Sequence, residues 1–113
     1  MTDNLQQSFK ALADPSRREI LMHLSKQDMT IKEVSEHFDM TRAAVKKHLT
    51  ILQQGNLIDI QKNGRERINS LKPEGLQTIT EWMDYFNKFW DQKLNNLQTA
   101  VANYTEKDDV KNK

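Results

Sequence analysis

The sequence predicts a mainly α-helical fold with one small β-hairpin and a long C-terminal helix. Along most of the 113 residues, apolar side chains recur at intervals of three and four, which is the period of an amphipathic helix. The Asn63-Gly64 pair lies between two short runs of alternating apolar and polar residues, which is a strong signal for a hairpin. The last apolar stripe continues from Leu76 to Tyr104, so the final helix should be much longer than the others.

The first two helices are predicted from their apolar spacing and from one cap. Their apolar positions are Leu5, Phe9 and Leu12 in the first, which should end near Ala13, and Ile20, Leu21 and Leu24 in the second. Asp14 suits the N-cap of the second helix, and Pro15 suits its first position, where the missing N–H costs nothing. Arg17 and Arg18 stand in its first turn, against the helix dipole, so we expect an anionic partner, a neighbouring carboxylate ahead of a phosphate.

A third, short helix should begin after Thr30. Thr30 and Glu33 have the spacing of a capping box, and Ile31, Val34 and Phe38 form the inner face of the helix. The next helix follows after only a short break. Two short helices joined in this way form a helix-turn-helix, in which the first helix braces the second against DNA.

The fourth helix, Thr41 to Gln54, has one apolar face and one cationic face. Thr41 is its predicted N-cap, and Gly55 its stop. The apolar face consists of Val45, Leu49 and Leu52, and the cationic face of Arg42, Lys46 and Lys47. Because the cations crowd into the first two turns, this helix has the character of a recognition helix, which inserts that end into a DNA major groove.

The hairpin after the fourth helix carries basic residues around its tip. Asn63 and Gly64 both tolerate the positive φ of a type I′ turn, which would leave Lys62 and Arg65 flanking the tip. A hairpin that follows a recognition helix is the wing of a winged helix-turn-helix. The basic residues Lys62, Arg65 and Arg67 could then reach phosphates or the neighbouring minor groove.

Charge is unevenly distributed, although the whole chain has a net charge of only +1. Residues 41–67 hold six basic and two acidic side chains, whereas residues 74–104 hold two basic and four acidic ones. A local basic patch is typical of nucleic-acid binding, although a solvated helix face gives the same count. The predicted DNA-binding residues are Thr41, Arg42, Ala43, Lys46, Lys47, His48, Lys62, Arg65 and Arg67. For His48, a phosphate contact and a structural hydrogen bond are equally favoured.

The last helix is predicted to mediate dimerisation. From Glu74 to Tyr104 it would be a rod of roughly 46 Å. A compact domain of this length is only about 34 Å across, so the apolar stripe needs a second copy of itself. The predicted dimerisation residues are Leu5, Phe9, Trp82, Met83, Phe86, Phe89, Trp90, Leu94 and Leu97. A pocket for an apolar effector, lined by the same aromatic residues, is the alternative.

Residues 1–104 should form one domain, and the charged segment 105–113 a disordered tail.

Several classes of protein are disfavoured. The sequence has no cysteine, which excludes disulfides and thiolate metal sites, and it has neither an apolar run long enough for a membrane span nor a signal-like start. A cytoplasmic protein is expected. With no glycine-rich phosphate loop and no Ser/His/Asp grouping, we expect neither an enzyme nor a cofactor. A metal site is also disfavoured, because His23, His37 and His48 fall on three different predicted helices.

Three segments together resemble the bacterial ArsR/SmtB family of winged-helix repressors. They are FKALADPSRREIL (Phe9 to Leu21), TIKEVSEHFDMTRAAVKKHLTIL (Thr30 to Leu52) and GRER (Gly64 to Arg67). The resemblance covers about residues 5–100. It implies a homodimer that binds a palindromic DNA operator and represses transcription, often of its own operon, until an effector releases it. The ending with Trp82, Tyr85, Phe89 and Trp90 is similar to a metal-independent branch of the family.

The sequence also departs from the family pattern. Metal-sensing members have cysteines on the bracing helix or an Asp/His/His/Glu set on the dimerising helix, and neither set is present here. Family members commonly have serine at the position of Lys46 and tyrosine at that of Asn69, so a different operator is expected. The alternatives are a winged-helix interaction module without DNA binding and a metal-responsive repressor with an unrecognised site.

Overall fold

A computed structural model describes the backbone of residues 2–111 and the side chains of residues 4–104. Its elements, in chain order, are α1 (Thr2–Leu12), α2 (Pro15–Leu24), β1 (Met29–Thr30), α3 (Ile31–Ser35), α4 (Arg42–Gln54), β2 (Ile58–Asn63), β3 (Glu66–Leu71) and α5 (Pro73–Lys111). The predicted fold class, a mainly helical chain with a hairpin and a long last helix, is confirmed. The chain divides into two compact units, Met1–Ile79 and Thr80–Lys113.

A single apolar core organises the first unit. Its buried side chains come from every helix and from β1 and β2: Ala11, Ile20, Leu21, Leu24, Met29, Val34, Val45, Leu49, Leu52, Leu57, Ile58 and Ile79. The predicted apolar stripes of α2 and α4 both belong to this core. Leu5 and Phe9 are partly buried against the same core, so α1 already packs within its own chain.

The two arginines at the start of α2 correct one expectation. Neither guanidinium binds a carboxylate among the described side chains. Arg17 donates through Nε to the carbonyl of Ala11 at 2.7 Å and through Nη2 to that of Lys10 at 3.0 Å, and Arg18 donates to that of Leu12 at 2.7 Å. These carbonyls belong to the last turn of α1, at the end of the helix that carries partial negative charge. The anionic partner is therefore a helix C-terminus, and it closes the corner between α1 and α2.

Asp14 caps α2 as predicted. Its carboxylate accepts a hydrogen bond from the backbone N–H of Arg17 at 3.1 Å, and Pro15 is the first helical residue. Burial alone would raise the pKa of the Asp14 carboxyl. The hydrogen bond from Arg17 and the electrostatic influence of His48 and of the Arg17 guanidinium outweigh that effect, so the pKa lies below its ordinary value.

The hairpin is completed by a third strand that the sequence analysis does not predict. The sheet is antiparallel with the order β1-β3-β2. In β1, Met29 pairs with Asn69 and Thr30 pairs with Ile68. Two residues are too few to show an alternating pattern, so periodicity could not reveal this strand. It fixes the start of α3 beside the wing.

Asn69 lies in the interior, which corrects its association with operator recognition. The side chain is fully buried, and its Nδ2 donates to the carbonyl of Met29 at 3.0 Å. Its Oδ1 has no hydrogen-bond partner among the described residues. Asn69 therefore ties β1 to β3.

The hairpin loop is Gly64-Arg65, one residue later than predicted. β2 continues through Asn63, which pairs with Glu66. Gly64 has a φ of 67°, whereas Arg65 does not have a positive φ. A positive φ at the first loop residue alone is typical of a type II′ turn, not of the predicted type I′ turn. Arg65 therefore lies at the tip itself, and Lys62 lies within β2.

The end of α4 is a Schellman motif. The N–H of Leu57 donates to the carbonyl of Leu52 at 3.0 Å, and the N–H of Asn56 donates to that of Gln53 at 2.9 Å. The left-handed residue is Asn56, with a φ of 62°, whereas Gly55 has a φ of −79°. Helix α4 ends with Gly55 as its C-cap, as predicted, but Asn56 and not Gly55 adopts the left-handed conformation.

Gly55 is required for space. An added Cβ would lie 2.9 Å from both the Cβ of Ala11 and the carbonyl oxygen of Gln7. The hydroxyl of Ser8 donates to the carbonyl of Gly55 at 2.6 Å, and Ser8 is buried. Gly55 therefore allows α1 to pass directly against the end of α4.

The last helix begins at Pro73, one residue before the predicted range, and is longer than predicted. α5 contains 39 residues, and at 1.5 Å per residue it is about 58 Å long. Its helical backbone continues to Lys111, beyond the predicted end at Tyr104. The segment 105–113, predicted to be a disordered tail, lies outside the residues whose side chains are described. Within the described part of the chain, no helix is both long enough and apolar enough to cross a lipid bilayer.

Candidate nucleic-acid interface

The buried face of α4 determines which of its residues reach the surface. The hydroxyl of Thr41 accepts a hydrogen bond from the N–H of Ala44 at 3.1 Å, which confirms the predicted N-cap. Val45, Leu49 and Leu52 are buried and fix the rotation of the helix in the core. The side chains of Arg42, Ala43, Lys46 and Lys47 are consequently exposed.

His48 has a structural partner. Its Nδ1 lies 3.3 Å from Nη1 of Arg17, and the ring is half-buried. Because a guanidinium can only donate, this hydrogen bond forms when Nδ1 carries no proton. For His48 the sequence favoured a structural hydrogen bond and a phosphate contact equally. The contact with Arg17 is the structural hydrogen bond. It joins the motif around Arg17 to the motif around His48 and holds α4 against α2.

The cations of the wing are all exposed. Lys62 and Arg67 face each other across β2 and β3, and Arg65 lies in the loop. Like charges directly opposite each other destabilise a strand pair. The wing therefore places repelling charges together, an arrangement that a bound anion would stabilise.

One cleft brings the helix and the wing together. It has a volume of about 290 Å³. Its lining residues are Thr30, Ile31, Lys32, Arg42, Arg65, Glu66 and Arg67. The predicted residues Arg42, Arg65 and Arg67 thus share one surface, although they lie far apart in sequence. Lys32 lines the same cleft. The sequence did not predict Lys32 as a DNA-binding residue, because the unpredicted strand β1 is what brings the start of α3 to the wing.

The cations of this surface have no carboxylate partner within the part of the chain whose side chains are described. Within the described side chains, none of the basic residues of α4 and the wing forms an ion pair. Arg42 also stands in the first turn of α4, where the helix dipole disfavours positive charge. The surface is therefore electrostatically suited to a polyanion.

The second unit presents a wide apolar stripe along α5. Ten large apolar residues of the described part of α5 are exposed, with exposed fractions from 39% to 75%. They are Trp82, Met83, Tyr85, Phe86, Phe89, Trp90, Leu94, Leu97, Val101 and Tyr104. Trp82 packs on Phe86 with ring centroids 4.7 Å apart, and Lys93 lies 5.6 Å from the centroid of Phe89. So many large apolar side chains exposed together mark an interaction surface.

The described side chains do not fit a metal centre. No group of three or more His, Cys, Asp or Glu residues among them could hold an ion. His23 and His37 do meet, but their rings are stacked with centroids 4.0 Å apart. The nearest Glu19 oxygen lies 3.9 Å from Nε2 of His23, and the ring of Phe38 packs edge-on against His23. Stacked, nearly parallel imidazoles do not converge on a common ion.

Comparisons with known proteins agree with this architecture. The family model described as "Bacterial regulatory protein, arsR family" matches residues 14–59. Among curated proteins, the chain is similar to the transcriptional repressor SdpR of Bacillus subtilis, with 38% identity over 71% of this chain and 90% of the relative. It is also similar to the arsenical resistance operon repressor of Staphylococcus xylosus, with 33% identity over 70% of this chain and 76% of the relative.

A solved structure extends the similarity to the fold. The ArsR-like transcriptional regulator from Rhodococcus sp. RHA1 superposes with a TM-score of 0.69 and 28% sequence identity. The match covers 87% of this chain and 92% of that one. This chain therefore belongs to the arsR family of bacterial regulatory proteins.

Proposed function

We propose that this protein is a homodimeric transcriptional repressor that binds a palindromic DNA operator through α4 and the wing. The observation that carries the proposal is the set of exposed cations on these two elements, which form no ion pair with any described side chain, with Arg42, Arg65 and Arg67 around one cleft. The names of the relatives, which are repressors, support the same activity. As a regulator of bacterial genes, the protein would act in the cytoplasm, where the DNA is.

The first two turns of α4 would enter the major groove. Arg42, Lys46 and Lys47 would contact guanine O6 and N7 or the flanking phosphates. Ala43 and the methyl group of Thr41 are small enough to lie against a thymine methyl. The tip of the wing would contact the backbone or the adjacent minor groove.

The exposed stripe of α5 would pair with a second copy of the chain. A two-fold axis pairs a surface with itself, so one apolar stripe supplies both sides of the interface. Leu5 and Phe9 are only partly buried by their own chain, so their remaining surface could join that interface. The dimer would then hold two α4 helices about 34 Å apart, which is one turn of DNA and explains the expected palindrome.

The test is binding to DNA from the promoter of the protein's own gene. Fluorescence anisotropy at low salt should detect binding, and the affinity should fall steeply with added salt because bound cations release counterions. The double variant Lys46→Ala/Lys47→Ala should bind at least tenfold more weakly. Lys26→Ala, which removes an exposed cation from the turn after α2, is the matched control and should bind as the wild type does.

Two results would favour the alternative functions. If the wild type does not bind promoter DNA even at low salt, a protein-interaction module becomes the better description. If zinc or nickel changes the affinity for DNA, the repressor responds to a metal despite the lack of a recognisable site. The repressor proposal without a metal requires binding that is unchanged by either ion.

A further inference from the structure

We propose that the cleft between α3, α4 and the wing binds a phosphate of the DNA backbone, and that Lys32 is a phosphate-contacting residue in it. This inference rests on the proposed DNA-binding function. It adds a residue to the interface, and it assigns that residue to backbone contact and not to base recognition.

The strand β1 places Lys32 in the cleft. Thr30 pairs with Ile68, and Lys32 follows Thr30 by two residues while Arg67 immediately precedes Ile68. The capping box then fixes the first turn of α3: Thr30 and Glu33 each accept a backbone hydrogen bond from the other, at 3.2 and 3.0 Å. The backbone that carries Lys32 is therefore held by both a strand pair and a helix cap.

The charges around the cleft favour binding of an anion. Among the described residues that line it, four are cations, Lys32, Arg42, Arg65 and Arg67, and one is a carboxylate, Glu66. None of the four forms an ion pair among the described side chains. Cations collected around a concave surface repel one another, and a bound anion reverses that repulsion. Guanidinium groups bind phosphate oxygens in pairs, and a lysine adds a mobile point charge.

The lining favours a backbone phosphate over a base or a free nucleotide. Among the described residues that line the cleft none is aromatic, so a base has no ring there to stack on. The cleft is also open, which suits a group attached to a long polymer. Its position beside Arg42, at the start of α4, would place it against the strand that borders the occupied major groove.

The experiment compares Lys32→Ala with Lys26→Ala. Each protein is titrated by anisotropy against its own promoter fragment and against an unrelated duplex of equal length, at several salt concentrations. A phosphate contact adds about one unit to the slope of log affinity against log salt, and the dimer has two copies of Lys32. Lys32→Ala should lower the slope by about two and weaken both duplexes by the same factor, roughly fivefold to tenfold. Lys26→Ala should change neither quantity.

Two further variants keep the result interpretable. Lys32→Arg retains the charge and should restore most of the affinity and the slope, and equal thermal melting temperatures would show that the fold is intact. Glu66→Gln removes the opposing carboxylate and should tighten binding to both duplexes. An unchanged salt slope in Lys32→Ala, or a loss confined to the promoter fragment, would overturn the phosphate assignment. A wild type that binds neither duplex would instead overturn the proposed function.

Discussion

Replacing Gly55 by alanine should destabilise the protein by about 1–3 kcal/mol, the usual effect of overpacking. The new Cβ would lie 2.9 Å from the Cβ of Ala11 and 2.9 Å from the carbonyl oxygen of Gln7. Neither atom can rotate away, because one is a Cβ and the other is backbone, so α1 must move from the end of α4. The φ of Gly55 is −79°, which any residue adopts, so the whole effect is steric.

Asn56 is the matched control for Gly55, because the constraint at Asn56 is its backbone conformation and not the space around it. Its φ of 62° lies in the left-handed region, where alanine costs about 1–2 kcal/mol and glycine costs nothing. Asn56→Gly should therefore be neutral or slightly stabilising, and Asn56→Ala should be destabilised. Urea denaturation followed by circular dichroism measures all three variants. A Gly55→Ala variant as stable as the wild type, or an Asn56→Gly variant less stable than the other two, would contradict these expectations.

Three other predictions concern the cap, the dimer and the tail. Asp14→Ala should lower the free energy of unfolding by about 1 kcal/mol at neutral pH, because the N-cap is removed. Because the pKa of Asp14 is lowered in the folded protein, its carboxylate stabilises the fold above the unfolded pKa of about 3.9, and this stabilisation is lost as the pH falls through the folded pKa. Acid titration of both proteins should therefore show that the difference in stability between wild type and variant shrinks. Leu97→Glu should weaken dimerisation at least tenfold in sedimentation equilibrium, whereas Gln98→Glu should not, because Gln98 lies off the apolar stripe. Ending the chain after Tyr104 should change affinity for promoter DNA by less than twofold, and a larger loss would assign the tail a role in binding.

Local rules accounted for the parts of the fold that are encoded in neighbouring residues. The caps at Asp14, Thr30 and Thr41 follow from side-chain oxygens that reach the N–H groups of the next turn, so a few residues of sequence suffice. The apolar stripe of α4 follows from the helical period. These rules also locate the cations of α4 on the surface, because a helix that buries one face must expose the other.

Two of the features that the sequence did not reveal depend on contacts between different elements of the fold. Arg17 was expected to find a carboxylate, but its partners are the carbonyls of Lys10 and Ala11, which no side-chain pattern displays. Among the described residues, the side chain of Lys32 has no partner in its own helix that would distinguish it from any exposed lysine. Its significance arises from a two-residue strand, Met29–Thr30, whose pairing with β3 depends on the whole sheet.

The interface of the first unit combines a stable core with an unstable arrangement of surface charge. The same packing that buries Val45 and Leu49 forces the cations of α4 outward, and the pairing of β2 with β3 sets Lys62 opposite Arg67. Each of these arrangements costs a fraction of a kcal/mol in the free protein, through the helix dipole or through like-charge repulsion. A sequence selected only for stability would have placed acidic residues at several of these positions. An anion bound between these cations relieves the repulsion, so the surface is better explained by binding to DNA than by folding.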